Sequence, residues 1–225
     1  VKINVRVCHI MTIAEHPVSV PPSAGGAGAV RKTPSQQRSR DRIERILEEA
    51  ASLIASRGSD ALKMSEVAAK AEISIGSLYQ YFPEKGSVLQ TLAGRYNAVG
   101  RLCIEEELKK ARTASEFADA FDRLIDIYYA TFLANPVMRD IWFGVQADRN
   151  LHPFLLNESR LNGKIVATEL LRVRPDGDHE NVEVAALTIM HLGEEAVRLA
   201  ISMPKEEGAG IIGTFKRMAR CELQV

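Results

Sequence analysis

From Gln36 almost to its end, this chain repeats its apolar residues at helical spacing. No stretch of useful length alternates apolar with polar, as a half-buried strand would. Ile43, Ile46, Leu47, Ala50, Leu53 and Ile54 fall at i, i+3, i+4, i+7, i+10 and i+11, the stripe of an amphipathic helix, and Gly58 stands just beyond it as a C-cap. Two short helices follow, around Ser65–Ala71 and Ile75–Tyr81. Pro83 ends the second and opens a long helix carrying Val88, Leu89, Leu92, Tyr96, Val99 and Cys103 on one side. Further helices are predicted over 115–134, 137–148, 153–173, 180–202 and 205–222. The breaks fall at Asn135-Pro136, His152-Pro153, Pro175-Asp176-Gly177 and Pro204. The fold class is all-α.

What precedes the first helix is of another kind. Pro17, Pro21, Pro22, Pro34 and the run Gly25-Gly26-Ala27-Gly28 make residues 17–35 a linker of low hydrophobicity, and residues 1–35 together read as a flexible arm. Glu15, His16 and Pro17 interrupt the few apolar residues near the start, so no signal peptide is expected. No apolar run approaches the ~18–20 residues of a membrane span. Cys8, Cys103 and Cys221 are scattered and odd in number, which argues against a disulfide framework or zinc site and suits a reducing cytoplasm.

Lys+Arg and Asp+Glu balance at 29 each, so overall charge says nothing of nucleic acid. The distribution says more. Residues 31–95 hold 11 basic and 8 acidic side chains, residues 96–225 hold 16 and 20, and Arg31, Lys32, Arg38, Arg40 and Arg42 stand against Asp41 alone. A basic leading edge on a neutral chain fits a DNA-binding head on a body that does not bind DNA.

The two short helices bury little by themselves and must pack on the longer helices that flank them. A helix-turn-helix needs that arrangement, with its second helix free to enter a major groove. Val67, Ala68 and Ala71 offer a small apolar face, and Ile73 and Leu78 close the core from the other side. Ser74 is a natural N-cap, and Gly76 lets the backbone approach DNA closely. Ser77, Tyr79, Gln80 and Tyr81 remain to reach phosphates or base edges.

Gly58-x-x-Ala61, Val67-Ala68-x-x-Ala71 and Ile73-Ser74-x-Gly76-Ser77-Leu78-Tyr79-x-Tyr81-Phe82-Pro83-x-Lys85 resemble the head of TetR-family regulators over roughly residues 38–95. The resemblance implies Tyr79 and Lys85 on DNA phosphates, small polar residues at Ser65, Ser74 and Ser77 on the backbone, and Ile75, Gln80 and Tyr81 near bases. It also implies a palindromic double-stranded operator, a homodimer and a small-molecule effector; with no nucleophile elbow, phosphate loop or paired catalytic acids in a plausible setting, no cofactor or catalysis is expected. Three residues depart from the pattern. Lys63 replaces the usual Ser or Thr cap, so either it touches phosphate or the helix starts later, at Ser65. Glu72 replaces the usual turn glycine, at a cost of about 1 kcal/mol if that residue is left-handed. Ile75 replaces a commonly polar residue, making any contact there apolar.

The expected organisation is thus an arm (1–35), a DNA-binding domain (36–100) and a ligand-binding and dimerisation domain (101–225). Within the last, Tyr128, Tyr129, Phe132, Met138, Trp142, Phe143 and Phe154 gather aromatic and apolar side chains that suit a cavity for an apolar or aromatic ligand, or equally a packed core. Val182, Ala185, Ala186, Ile189, Leu192, Gly193, Ala196, Val197 and Ala200, with Ile211, Ile212, Phe215 and Met218, are expected to serve a symmetric helical interface. His191-x-x-Glu194 reads as a hydrogen-bonded interior or interface pair rather than a metal site. The competing reading is a helical enzyme or interaction protein whose head only resembles the motif.

Overall fold

The computed structural model describes residues 34–223, and every regular element among them is helical. They are α1 (Pro34–Arg57), α2 (Met64–Lys70), α3 (Ile75–Tyr81), α4 (Lys85–Leu108), α5 (Ala114–Ala134), α6 (Pro136–Ala147), a 3-10 turn (Arg149–Leu151), α7 (His152–Val173), α8 (His179–Ile201) and α9 (Lys205–Glu222). The arm expected over residues 1–35 lies outside the described residues, except that Pro34 and Ser35 already belong to α1. No helix among the described residues is long and apolar enough to cross a membrane.

The chain forms two compact units. Among the described residues, one comprises 34–96 together with Pro136–Leu151; the other comprises Asn97–Asn135 and 152–223. In the first unit, the stripe predicted on α1 is the core: Ile46, Leu47, Ala50, Leu53 and Ile54 are buried with Val67, Ala68, Leu78, Phe82, Val88 and Leu89. α1 stops where expected. Gly58 takes φ +80°, and its N–H donates to the Ile54 carbonyl at 2.8 Å, the single-bond left-handed cap that only glycine adopts without strain. Arg95 on α4 grips Glu44 on α1 through two 2.6 Å hydrogen bonds, and Arg57 pairs with Glu66 on α2. α6 lies along α1 in this unit. A Cβ on Gly144 of α6 would fall 2.7 Å from Ser59 Oγ and 3.1 Å from Leu89 Cδ1, so glycine sets how near that helix comes.

The second unit packs α5, α7, α8 and α9 around Phe117, Phe121, Val166, Leu170, Ala186, Ile189, Val197 and Phe215. Its helices approach closely where glycines face backbone: a Cβ on Gly163 of α7 would lie 2.8 Å from Leu187 Cα on α8. Thr113 caps α5 by accepting from Glu116 N at 3.2 Å, and Asp178 caps α8 by accepting from Asn181 N at 3.4 Å. Arg220 on α9 holds Asp119 at 2.8 Å and Asp122 at 3.0 Å on α5, and Lys216 holds Asp126 at 2.5 Å.

Candidate nucleic-acid interface and buried polar cluster

The turn between α2 and α3 is fixed by its own backbone. Ile73 N–H donates to the Ala68 carbonyl at 3.0 Å and Glu72 N–H to the Ala69 carbonyl at 3.2 Å, the bond pair of a Schellman cap. That motif requires a left-handed residue after the C-cap, and Glu72 supplies it at φ 57°, the one non-glycine residue with positive φ among those described. Ser74 Oγ accepts from Ser77 N at 3.1 Å and starts α3. Leu78 is fully buried and anchors the inner face of α3. The opposite face is left to solvent: Ile75 is 43% exposed and Tyr79 47%, with Ser74, Gly76 and Gln80 exposed beside them. Ser77 and Tyr81 are half-buried on the flanks.

A Cβ added at Gly76 would meet nothing within 4 Å. The chain's own packing therefore does not ask for glycine there. Of the two options for Lys63, the later start is not taken. α2 begins at Met64, with Lys63 an extended N-cap (φ −114°, ψ 128°) whose side chain makes no capping bond and stays exposed, as does Ser65. Lys85 is half-buried, and its Nζ donates to the carbonyls of Ser59 at 3.2 Å and Asp60 at 3.4 Å, so it braces the loop that leads into α2.

The seven residues expected around a ligand divide between the units: Met138, Trp142 and Phe143 belong to α6, the other four to α5 and α7. In the second unit Tyr128 meets Phe132 edge to face at 4.8 Å. Tyr129, its neighbour in sequence, turns elsewhere: its hydroxyl is buried without a hydrogen-bond partner, 2.6 Å from where a Cβ of Gly208 would stand. Phe154 is half-buried.

Beside Tyr128 is a group of buried polar side chains that composition does not announce. Glu158 and Ser159 on α7 and Glu194 on α8 are all buried, Glu194 being 8% exposed. Glu158 is paired with Arg101 of α4. Ser159 Oγ lies 3.1 Å from His191 Nδ1 and also bonds the Glu194 carboxyl. Burial, reinforced by the charges of Glu158 and Glu195 and only partly opposed by the Ser159 bond, pushes the Glu194 carboxyl up to about 8. Burial first, then the charge of Glu194, raises the Tyr128 phenol well above its usual range. Glu194 is buried and His191 half-buried, and the two meet through Ser159 rather than each other. Among the described residues no three His, Cys, Asp or Glu side chains converge as a metal would need. Sequence reading missed Ser159, although it interrupts the apolar stripe of Leu155 and Val166 on α7. In the same unit, a pocket of about 230 Å³ lies between the end of α7, the start of α8 and Leu223; Arg174, Asp178 and Asn181 line it, and none of the seven residues does.

Two family models match the chain. The one described as bacterial regulatory proteins, tetR family, covers residues 46–92, and the one described as tetracyclin repressor-like, C-terminal domain, covers 115–225. The HTH-type transcriptional repressor KstR of Mycobacterium tuberculosis is 34% identical over 85 residues, 38% of this chain and 36% of that protein. Its Mycolicibacterium smegmatis namesake is 38% identical over 56 residues, 25% of this chain and 28% of that protein. The match therefore spans about a third of the length of these curated relatives. Among solved structures, a TetR-family transcriptional regulator from Streptomyces coelicolor superposes with a TM-score of 0.61 at 26% identity, covering 81% of this chain and 98% of that one. RolR in complex with resorcinol shares the fold at 20% identity, with a TM-score of 0.61 over 83% of this chain and 95% of that one.

Proposed function

Because the chain belongs to the TetR family of bacterial transcriptional regulators, we propose that it is a repressor that reads a palindromic operator as a homodimer and releases it when a small molecule occupies its helical body. The outer face of α3 carries this reading. A seven-residue helix anchored by a fully buried Leu78 presents Ile75, Gly76, Tyr79 and Gln80 outward, which suits insertion into a major groove. Gln80 is suited to an adenine edge, Ile75 to a thymine methyl, and Tyr79 to phosphate. Ser65, Ser74, Ser77 and Tyr81 flank them, with Lys63 and Lys85 supplying positive charge at the base of the motif.

The homodimer is supported by apolar surface that a single chain leaves uncovered. Val184, Leu192 and Leu199 are exposed along one side of α8, and Met218 is exposed on α9. The effector reading is supported by the Tyr128–Phe132 pair next to Glu194, whose carboxyl keeps its proton at neutral pH and can donate it in a hydrogen bond. A small aromatic molecule with hydrogen-bonding groups, the class to which RolR's resorcinol belongs, fits that chemistry. The repressor role extends to this chain the name its curated relatives bear.

Gly76→Ala separates DNA contact from folding. With open space around Gly76, alanine in a helix should raise stability by up to about 1 kcal/mol, yet weaken binding to an operator recovered from genomic fragments by about tenfold or more. Gln80→Ala should relax preference at one or two base pairs, while Tyr79→Phe should weaken binding to all sequences alike. Operator affinity that survives Gly76→Ala and Gln80→Ala unchanged would remove α3 from the interface. Light scattering that shows a fully active monomer would remove the dimer.

A further inference from the structure

Left-handed backbone disfavours a side chain with a Cβ, and the Schellman turn holds Glu72 there nonetheless. Its carboxylate, 82% exposed, is not drawn into the core to offset that strain. It reaches the guanidinium of Arg45 at 3.8 Å, itself 57% exposed on α1. Arg38, Arg42 and Arg45 stand at i, i+4 and i+7 on one side of α1, all exposed. Among the described residues, Arg38 and Arg42 make no ion pair, so Glu72 neutralises one end of a basic stripe on the same unit as α3. The carboxylate also sits two residues before Ser74, at the entrance to the reading helix.

We propose that Glu72 is an electrostatic brake on phosphate binding at the reading head, occupying Arg45 in place of a DNA phosphate and repelling the phosphates that approach the start of α3. The inference rests on the DNA-binding reading above and adds a specific determinant of affinity to it. An exposed pair at this distance is weak and exchanges easily, so Arg45 is withheld from DNA only partly. Sequence-independent affinity comes almost wholly from phosphate contacts, and the brake therefore shows on DNA of any sequence.

The test uses the full chain and a random-sequence duplex, so no operator is needed. Glu72→Gln removes the charge and keeps the strained backbone, whereas Glu72→Gly removes both. Glu72→Gln should tighten binding by about three- to tenfold at low salt, steepen the salt slope by about 1 as Arg45 takes up a phosphate, and lose its advantage at high salt. Glu72→Gly should bind as Glu72→Gln does and also melt at a higher temperature. Adding Arg45→Ala to Glu72→Gln should cancel the gain in slope and much of the gain in affinity. Tightening by Glu72→Gly alone would assign the effect to the backbone and overturn the proposal, as would a Glu72→Gln protein whose binding matches wild type. Wild-type protein with no salt-dependent affinity for any DNA would bring down the DNA-binding reading itself, and this inference with it.

Discussion

Replacing Glu194 with glutamine should stabilise the folded protein strongly at pH 8 and hardly at all at pH 4. The carboxyl is buried on α8 beside Ser159 of α7, and the charges of Glu158 and Glu195 add to the effect of burial. Its folded value of about 8 stands far above the ordinary 4.5. Below 4.5 the folded and unfolded chains both carry the proton, and Glu194 imposes no penalty. Between 4.5 and 8 the unfolded chain releases the proton and the folded chain keeps it, so stability falls as pH rises through this window. Above 8 both states are ionised and the loss is complete, on the order of 4 kcal/mol. Glutamine preserves the shape, can still bond Ser159, and never ionises. Denaturant titrations of the two proteins from pH 4 to 9 should give curves that coincide at the acid end and diverge steadily to pH 8. Curves that stay parallel would mean that Glu194 ionises normally, and its burial would then have no electrostatic consequence. Operator release measured over the same range should shift with the carboxyl if the effector bonds to it.

Local chemistry made the head legible in the sequence. The stripe from Ile43 to Ile54, Gly58 as a left-handed cap, Ser74 as an N-cap and the bounds of α3 all depend on residues within a few positions of one another, and each is found where periodicity and turn chemistry place it. The cost foreseen at Glu72 is likewise present, because the turn's hydrogen bonds demand a left-handed residue whatever its type. The body is different. Glu158 and Glu194 are 36 positions apart in the chain, and nothing local signals that α7 and α8 bury them together. Tyr128 and Tyr129 read as one aromatic cluster, but adjacent helical residues point about 100° apart, so one meets Phe132 and the other Gly208. The small residues of α8 were expected to face a partner. Ala185, Ala186, Gly193, Val197 and Ala200 are instead buried within their own unit, Gly193 close enough to Phe215 that a Cβ would fall 3.0 Å from its ring. Leu192, of the same expected set, is exposed, as are Val184 and Leu199 along the same side of the helix. Composition identifies a face as apolar; only the packed helices show what covers it.

Two glycines two positions apart on α9 should respond to alanine in opposite directions. Alanine favours an interior helical position over glycine by about 1 kcal/mol because it restricts the unfolded chain. At Gly210 nothing lies within 4 Å of the added Cβ, so Gly210→Ala should gain roughly that amount. At Gly208 the same atom would fall 2.4 Å from the Ala200 carbonyl oxygen and 2.6 Å from the Tyr129 hydroxyl. The first obstacle is backbone near the end of α8, which no rotamer change can move. α9 must therefore shift away from α8, disturbing Phe215 and Ile212, which lie buried along the same helix. Overpacking of this kind costs about 1–3 kcal/mol and at times more, which outweighs the propensity gain. Gly208→Ala should thus lower the melting temperature by several degrees, at roughly 2–4 °C per kcal/mol for a domain of this size, while Gly210→Ala raises it. Gly163→Ala should fall as Gly208→Ala does, since its Cβ would press on Leu187 Cα at 2.8 Å. If Gly208→Ala and Gly210→Ala shift the melting temperature equally, α8 and α9 are not packed as closely as Ala200 and Gly208 require.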